Sequence, residues 1–112
     1  ELQRASLKYE PWSAVIPSQL LEQDSNIFNV IRRGDLLVHH PYESFSATVE
    51  RFIRAAVDDP KVIAIKMTLY RTGDETPFVP LLIRAAEEGK QVVCLVEVKA
   101  HLDEERNIYW AQ

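Results

Sequence analysis

The chain has 112 residues, of which 46% are hydrophobic and 27% are charged, and its formal net charge is −4. This length and composition are typical of one soluble globular domain with a real hydrophobic core. An acidic chain lacks the basic face of a nucleic-acid-binding protein, so we expect no nucleic-acid partner. A local cationic pocket is still compatible with this net charge.

Cysteine content and hydropathy limit the class of protein further. Cys94 is the only cysteine, so a disulfide or a cysteine-based zinc site within the chain is excluded. This suits a reducing compartment and predicts a cytoplasmic protein. Cys94 lies in the apolar run QVVCLVEV and is expected to be a small buried hydrophobic residue. No apolar stretch approaches the roughly 20 residues that a membrane span requires.

The first third of the chain has the least regular pattern. Prolines interrupt it early, at Pro11 and Pro17, and the scattered apolar residues of the segment 18–32 predict only short helical turns. We expect a connector from a preceding domain, with Trp12 and Phe28 packing it onto its surroundings.

From Gly34 onwards the sequence predicts alternating strands and helices. The apolar segments 35–40, 61–70 and 91–98 are short and bounded by turn residues, so each predicts a strand. The segment 61–70 begins with a run of aliphatic residues, which predicts a central strand buried on both faces. Strands joined by helices favour an α/β fold with a parallel β-sheet and right-handed crossover helices.

Three helices are predicted between and after these strands. The first, at residues 44–58, has an apolar face formed by Phe45, Val49, Phe52, Ile53, Ala56 and Val57. The second has Thr76 as N-cap and Pro77 as its first residue, and it ends at Gly89. The third begins after Asp103 with acidic residues in its first turn. It reaches Gln112 without a C-cap signal, so we expect the chain to be a fragment of a longer protein.

Basic or protonatable side chains lie at the carboxyl end of every predicted strand. These residues are His39 and His40, then Arg71, then Lys99 and His101. Ligands of open parallel sheets bind beyond the carboxyl ends of the strands, where the helices also begin. Arginine suits phosphate in particular, so the pattern predicts an anion site at this edge. The alternative, that these side chains are only solvated or paired with nearby carboxylates, remains open.

Other residues give little support for catalysis within the chain. His39 and His40 are adjacent in a predicted strand, so their side chains would face opposite sides of the sheet. Lys66 is expected to pair with a carboxylate such as Glu97 or to form the floor of a pocket. The three glycines are not clustered, so a glycine-rich nucleotide loop is not expected. The pattern also contains no Ser-His-Asp or Cys-His arrangement and no histidine pair with metal-ligand spacing.

Two long segments carry a resemblance to a known family. The runs DLLVHHPYESF and DDPKVIAIKMTLYRTGDETPFVPLLIRAAEEGKQVVCLVEVKAHLDEERNIYWA closely resemble the bacterial polyphosphate kinases. The resemblance implies that residues 31–112 begin the first of two carboxyl-terminal domains that are similar to phospholipase D. Residues 1–30 would then be the connector from the preceding domain.

The resemblance also implies an activity. The parent protein would be an ATP:polyphosphate phosphotransferase that reversibly transfers the terminal phosphate of ATP to inorganic polyphosphate. Its partners would be ATP or ADP and polyphosphate, with Mg²⁺ as cofactor. The resemblance further implies a homo-oligomeric full-length enzyme and leaves peripheral membrane association open.

Two positions of this chain match the family's phosphate and magnesium positions. Arg71 matches one, and because a guanidinium cannot coordinate a metal, it would hold the phosphate ligands of Mg²⁺. His101 occupies the second, where the family usually has arginine. The reference pKa of histidine is about 6.5, so this departure from arginine changes the strength and the pH dependence of phosphate binding expected at this position. The family's phosphohistidine is expected beyond Gln112, so no catalytic residue is predicted within this chain.

Two classes of function therefore remain. The first is a part of a phosphotransferase, in which positioning and charge neutralisation dominate the chemistry. The second is a non-catalytic polyanion-binding or assembly module of the same fold. A histidine followed two residues later by lysine, in the sequence beyond Gln112, would favour the enzyme.

Overall fold

The computed structural model describes residues 7–21, 26–70, 77–99 and 104–110, with the backbone alone at positions 106 and 110. The chain divides into two compact units, residues 1–48 and residues 49–112. Among the described residues, no helix is both long and apolar enough to span a lipid bilayer.

The first unit contains short helices joined by turns, as the sequence predicts. A 3₁₀ turn, Ser18–Leu20, follows Pro17, and helix α1 spans Ile27–Arg33. Asn26 caps α1, because its side-chain oxygen accepts a hydrogen bond of 2.9 Å from the backbone N–H of Phe28. Leu20 and Ile27 are buried and form the apolar centre of this segment.

The strand predicted at residues 35–40 is wrong. These residues form turn and irregular backbone, and the side chain of Leu37 is 92% exposed. The backbone N–H of His39 donates to the Glu43 carboxylate at 2.6 Å, and the Glu43 N–H donates back to the His39 carbonyl at 2.9 Å. These local bonds close a turn where the apolar run alone predicts a ladder. An isolated parallel bridge between Val15 and Glu43 lies beside this turn.

The second unit is built around one pair of parallel strands. Its regular elements, in chain order, are α2 (Arg51–Asp58), β1 (Ala64–Leu69), α3 (Phe78–Glu87), β2 (Gln91–Val96) and α4 (Glu104–Trp110). Strands β1 and β2 pair in parallel, with Ala64 opposite Gln91 and Leu69 opposite Val96. The predicted parallel pairing with a crossover helix is confirmed for these two strands. The expected three-stranded sheet is a two-stranded one within the described residues.

The predicted helix at residues 44–58 is partly confirmed. A π-helical turn, Ser46–Glu50, precedes α2, which buries Ile53, Ala56 and Val57 as expected. Phe45 and Phe52, which were predicted on the same apolar face, are 45% and 37% exposed. Beside α2 in the second unit, α3 buries Phe78, Leu81, Leu82 and Ala85.

Helix α3 ends where the sequence predicts. Gly89 has a φ of 90°, the left-handed conformation that costs glycine least. The Gly89 N–H donates to the Ala86 carbonyl and the Lys90 N–H to the Ala85 carbonyl, each at 3.0 Å, which is the Schellman pattern. At the other end, Pro77 is the N-cap and Phe78 the first helical residue, one position later than expected. Helix α4 is also confirmed, whereas the predicted N-caps Thr76 and Asp103 lie outside the described residues.

The expectation that β1 is buried on both faces is wrong for the described part of the chain. Ile65 and Leu69 are buried, whereas Lys66 between them is exposed, so the strand has one buried face. In β2, Val93 and Leu95 are 57% and 67% exposed. An apolar strand sequence favours burial on both faces, but only packed neighbours can supply it, and here they cover one face.

Candidate functional site

The carboxyl ends of β1 and β2 lie side by side and form the candidate site edge. Leu69 and Val96 are the last paired residues, and the Glu97 N–H donates to the Leu69 carbonyl at 3.0 Å. Tyr70 and Glu97 are therefore the first residues to leave the sheet, at neighbouring positions. Both residues are exposed, so solvent reaches this edge in the second unit.

The two predicted phosphate-binding residues follow these strand exits in the sequence. Arg71 comes directly after Tyr70, and His101 comes four residues after Glu97. Both Arg71 and His101 lie outside the described residues, so their role stays a prediction. What the structure describes is the pair of strand exits from which the chain continues to them.

A buried asparagine in α4 joins the two exits. The Asn107 residue is 0% exposed, and its side-chain Nδ2 donates to the Tyr70 carbonyl at 3.0 Å and to the Glu97 carbonyl at 2.7 Å. Asn107 was not predicted from the sequence, because only the acidic first turn of α4 was interpreted there. The feature of the sequence that could have indicated a role for Asn107 is that asparagine, a residue of modest helix propensity, stands in the middle of a short helix.

The Glu97 side chain shapes the turn that follows β2. Its Oε1 accepts a hydrogen bond of 2.9 Å from the backbone N–H of Lys99. The expected pairing of Glu97 with Lys66 is therefore not the contact that forms: Lys66 projects from the exposed face of β1, and the Glu97 carboxylate turns toward its own backbone. Lys99 is exposed, next to the segment that contains His101.

At the opposite, amino edge of the sheet, another side chain also bonds to two backbone carbonyls, and we call such a side chain a clamp. The Lys90 ammonium donates to the Asp59 carbonyl at 2.6 Å and to the Val62 carbonyl at 3.0 Å, just before β1 begins. Arg84, near the end of α3, forms an ion pair with Asp58 at the end of α2. Because α3 ends at the amino edge, it begins toward the carboxyl edge, and the positive end of its dipole favours an anion there.

The histidines grouped with this edge at the sequence level belong to the first unit. The His39 ring contacts the Tyr42 ring edge-on with centroids 4.9 Å apart, and His40 Nδ1 donates to the Glu43 carbonyl at 3.0 Å. Their assignment to a strand end was wrong because that strand does not form.

The described residues do not form a direct magnesium site. Among them, no group of three or more histidine, cysteine, aspartate and glutamate side chains is close enough to hold a metal ion. Glu97 is the carboxylate nearest in sequence to the exit of β2, and one of its oxygens already accepts a backbone hydrogen bond. Among the described residues, therefore, no magnesium site is built from protein side chains alone.

Cys94 lies on β2 and lines an open apolar groove of about 490 Å³ with residues of α3 and β2. The prediction that it is buried is wrong, because the Cys94 residue is exposed. Partial burial of the thiol nevertheless raises its pKa, which disfavours the reactive thiolate. This groove offers apolar contact rather than a nucleophile.

The architecture matches part of a polyphosphate kinase of known structure. The chain aligns with the crystal structure of polyphosphate kinase from Porphyromonas gingivalis with a TM-score of 0.69 and 35% sequence identity, over 89% of this chain and 16% of that chain. At this sequence identity, and with most of this chain covered, the two proteins are similar in sequence as well as in fold.

Sequence comparison then gives the family. Residues 26–112 match the family described as polyphosphate kinase C-terminal domain 1. The polyphosphate kinase of Synechocystis sp. is 52% identical over 95% of this chain and 17% of its own length. That of Mycolicibacterium gilvum is 55% identical over 97% of this chain and 15% of its own length. The chain belongs to the polyphosphate kinase family, which confirms the resemblance, and it spans less than a fifth of these relatives.

Proposed function

We propose that this chain is part of an ATP:polyphosphate phosphotransferase, which reversibly transfers the terminal phosphate of ATP to inorganic polyphosphate. The transfer would pass through a phosphohistidine outside this chain. Residues 31–112 would begin the first of two phospholipase D-like domains, and residues 1–30 would connect them to a preceding domain. The observation that carries the proposal is the family match over residues 26–112.

Within that enzyme, the part played by this chain is to bind and orient phosphate groups at the carboxyl edge of the sheet. Arg71 would hold phosphate oxygens with its planar guanidinium, and His101 would add a second donor. The start of α3 adds a partial positive charge from the same side. Such groups stabilise the negative charge that develops during phosphoryl transfer, which is the main task of a protein in this reaction.

Magnesium would arrive bound to the phosphates of the nucleotide rather than to ligands of this chain. It supplies neutralisation of phosphate charge when bound. The two predicted metal positions, Arg71 and His101, are then residues that hold the phosphates.

The test is an activity measurement on the full-length parent protein. With γ-labelled ATP, the purified parent should incorporate label into acid-insoluble polymer and, with ADP and polyphosphate, should regenerate ATP. A folded parent that binds polyphosphate but does neither would overturn the proposal and favour the non-catalytic polyanion-binding module.

A further inference from the structure

We propose that Asn107 is a positioning residue for phosphate transfer, because its amide holds the exits of β1 and β2 at one fixed separation. The inference rests on the proposed function, since it assigns Asn107 a role only if phosphates bind at this edge. The Asn107 amide contacts the backbone directly after each strand, and its partner Tyr70 lies 37 positions earlier in the chain.

The geometry is one that a primary amide is suited to produce. The sheet ladder ends with the bond from Glu97 N–H to Leu69, and one residue later the two strand carbonyls require other donors. Nδ2 of Asn107 donates to the Tyr70 carbonyl and the Glu97 carbonyl, at 3.0 and 2.7 Å, so one buried side chain serves both strands. An aspartate carboxylate cannot donate, a serine has one donor, and a leucine of similar size has none.

The position of this clamp connects it to function. One of the two carbonyls belongs to the residue directly before Arg71, and the other opens the turn that Glu97 and Lys99 form. This turn precedes the segment containing His101. Phosphoryl transfer depends on placing charges accurately, and misplacement by about 1 Å can lower a rate about a hundredfold. Asn107 would therefore set the separation at which the two phosphate-binding segments leave the sheet.

The chain provides a matched control for a clamp that is only structural. Lys90 also donates to two backbone carbonyls, those of Asp59 and Val62, but at the amino edge of the same sheet. If clamping matters merely for stability, removing either clamp should affect turnover alike. If position matters, only the clamp at the carboxyl edge should affect turnover beyond its effect on stability.

The experiment uses the full-length parent protein and measures kcat, KM for ATP and melting temperature. The variants are Asn107→Leu, Asn107→Ser and Lys90→Met. We expect Asn107→Leu to lower kcat at least tenfold, Asn107→Ser to lower it less because it keeps one donor, and Lys90→Met to leave kcat within twofold of wild type. A double-mutant cycle adds Arg71→Ala: Asn107→Leu should have a much smaller effect in that background, since residues that act through one another are not additive.

Each outcome decides one question. An inactive wild-type parent would overturn the proposed function, and this inference with it. An active parent in which Asn107→Leu retains kcat, or in which Asn107 and Arg71 are additive, would overturn this inference alone. If both Asn107 variants fail to fold while Lys90→Met folds, or if Lys90→Met lowers kcat equally, the amide is a structural clamp and the positioning role is wrong.

Discussion

Replacement of Lys90 by methionine tests how the amino edge of the sheet is held. The half-buried Lys90 side chain donates from its ammonium to the carbonyls of Asp59 and Val62, at 2.6 and 3.0 Å. Asp59 is the C-cap of α2, so the ammonium also lies at the negative end of that helix dipole. Methionine keeps the packing of the aliphatic stem and removes all the donors.

The magnitude follows from these contacts. A hydrogen bond from a charged donor contributes about 1.5–3 kcal/mol. Water can reach both half-buried carbonyls once the ammonium is gone, so we take about 1 kcal/mol for each bond. The free energy of opening this edge should therefore fall by about 2 kcal/mol, which is roughly a thirtyfold change in an equilibrium constant.

Native-state hydrogen exchange of the full-length parent measures this effect locally. The Gln91 amide, adjacent to Lys90, donates to the Ile63 carbonyl at 2.9 Å, and its exchange should become roughly thirtyfold faster in Lys90→Met. Lys61→Met is the matched control, because Lys61 is exposed, and its effect should stay within about 0.5 kcal/mol. Equal exchange rates in the two variants would refute the clamp.

Three further predictions concern chemistry. In the parent, Arg71→Ala should lower turnover about a hundredfold with little change in melting temperature, and Arg71→Lys should restore only part of the lost turnover. His101→Arg should preserve or raise turnover near neutral pH. Near wild-type turnover of Arg71→Ala would contradict the anion site. The isolated 112-residue chain should incorporate no labelled phosphate from ATP, because the nucleophile is expected elsewhere, and any incorporation above a no-protein blank contradicts this. The raised pKa of the Cys94 thiol means that the folded protein keeps its proton to higher pH than the unfolded chain. Alkylation should therefore be slower in the folded protein than in urea, and equal alkylation rates would contradict this. The thiol's contribution to stability should be fully present below the unfolded pKa and be lost as pH rises from there through the higher folded pKa.

Patterns of neighbouring residues were sufficient to predict the strands and helix ends that depend on neighbouring residues alone. The predicted strands at 61–70 and 91–98 contain β1 and β2, and Gly89 ends α3 with the expected positive φ. Strand propensity, helical periodicity and capping act over a few residues, so they are readable in sequence. The parallel pairing was also predictable, because strands joined by a crossover helix have few other arrangements.

The tertiary structure decided what depends on residues distant in the chain. The apolar run at 35–40 has strand-like composition, but a strand forms only where another strand pairs with it, and here a local turn bonded to the Glu43 carboxylate forms instead. Cys94 and Lys66 differ from expectation because burial depends on which neighbours cover each face. Asn107 is the clearest case: nothing in its own segment predicts that its amide binds the Tyr70 and Glu97 carbonyls. A buried polar side chain finds its partners only when separate elements pack together, and hydrogen bonding at the strand exits is settled at that stage.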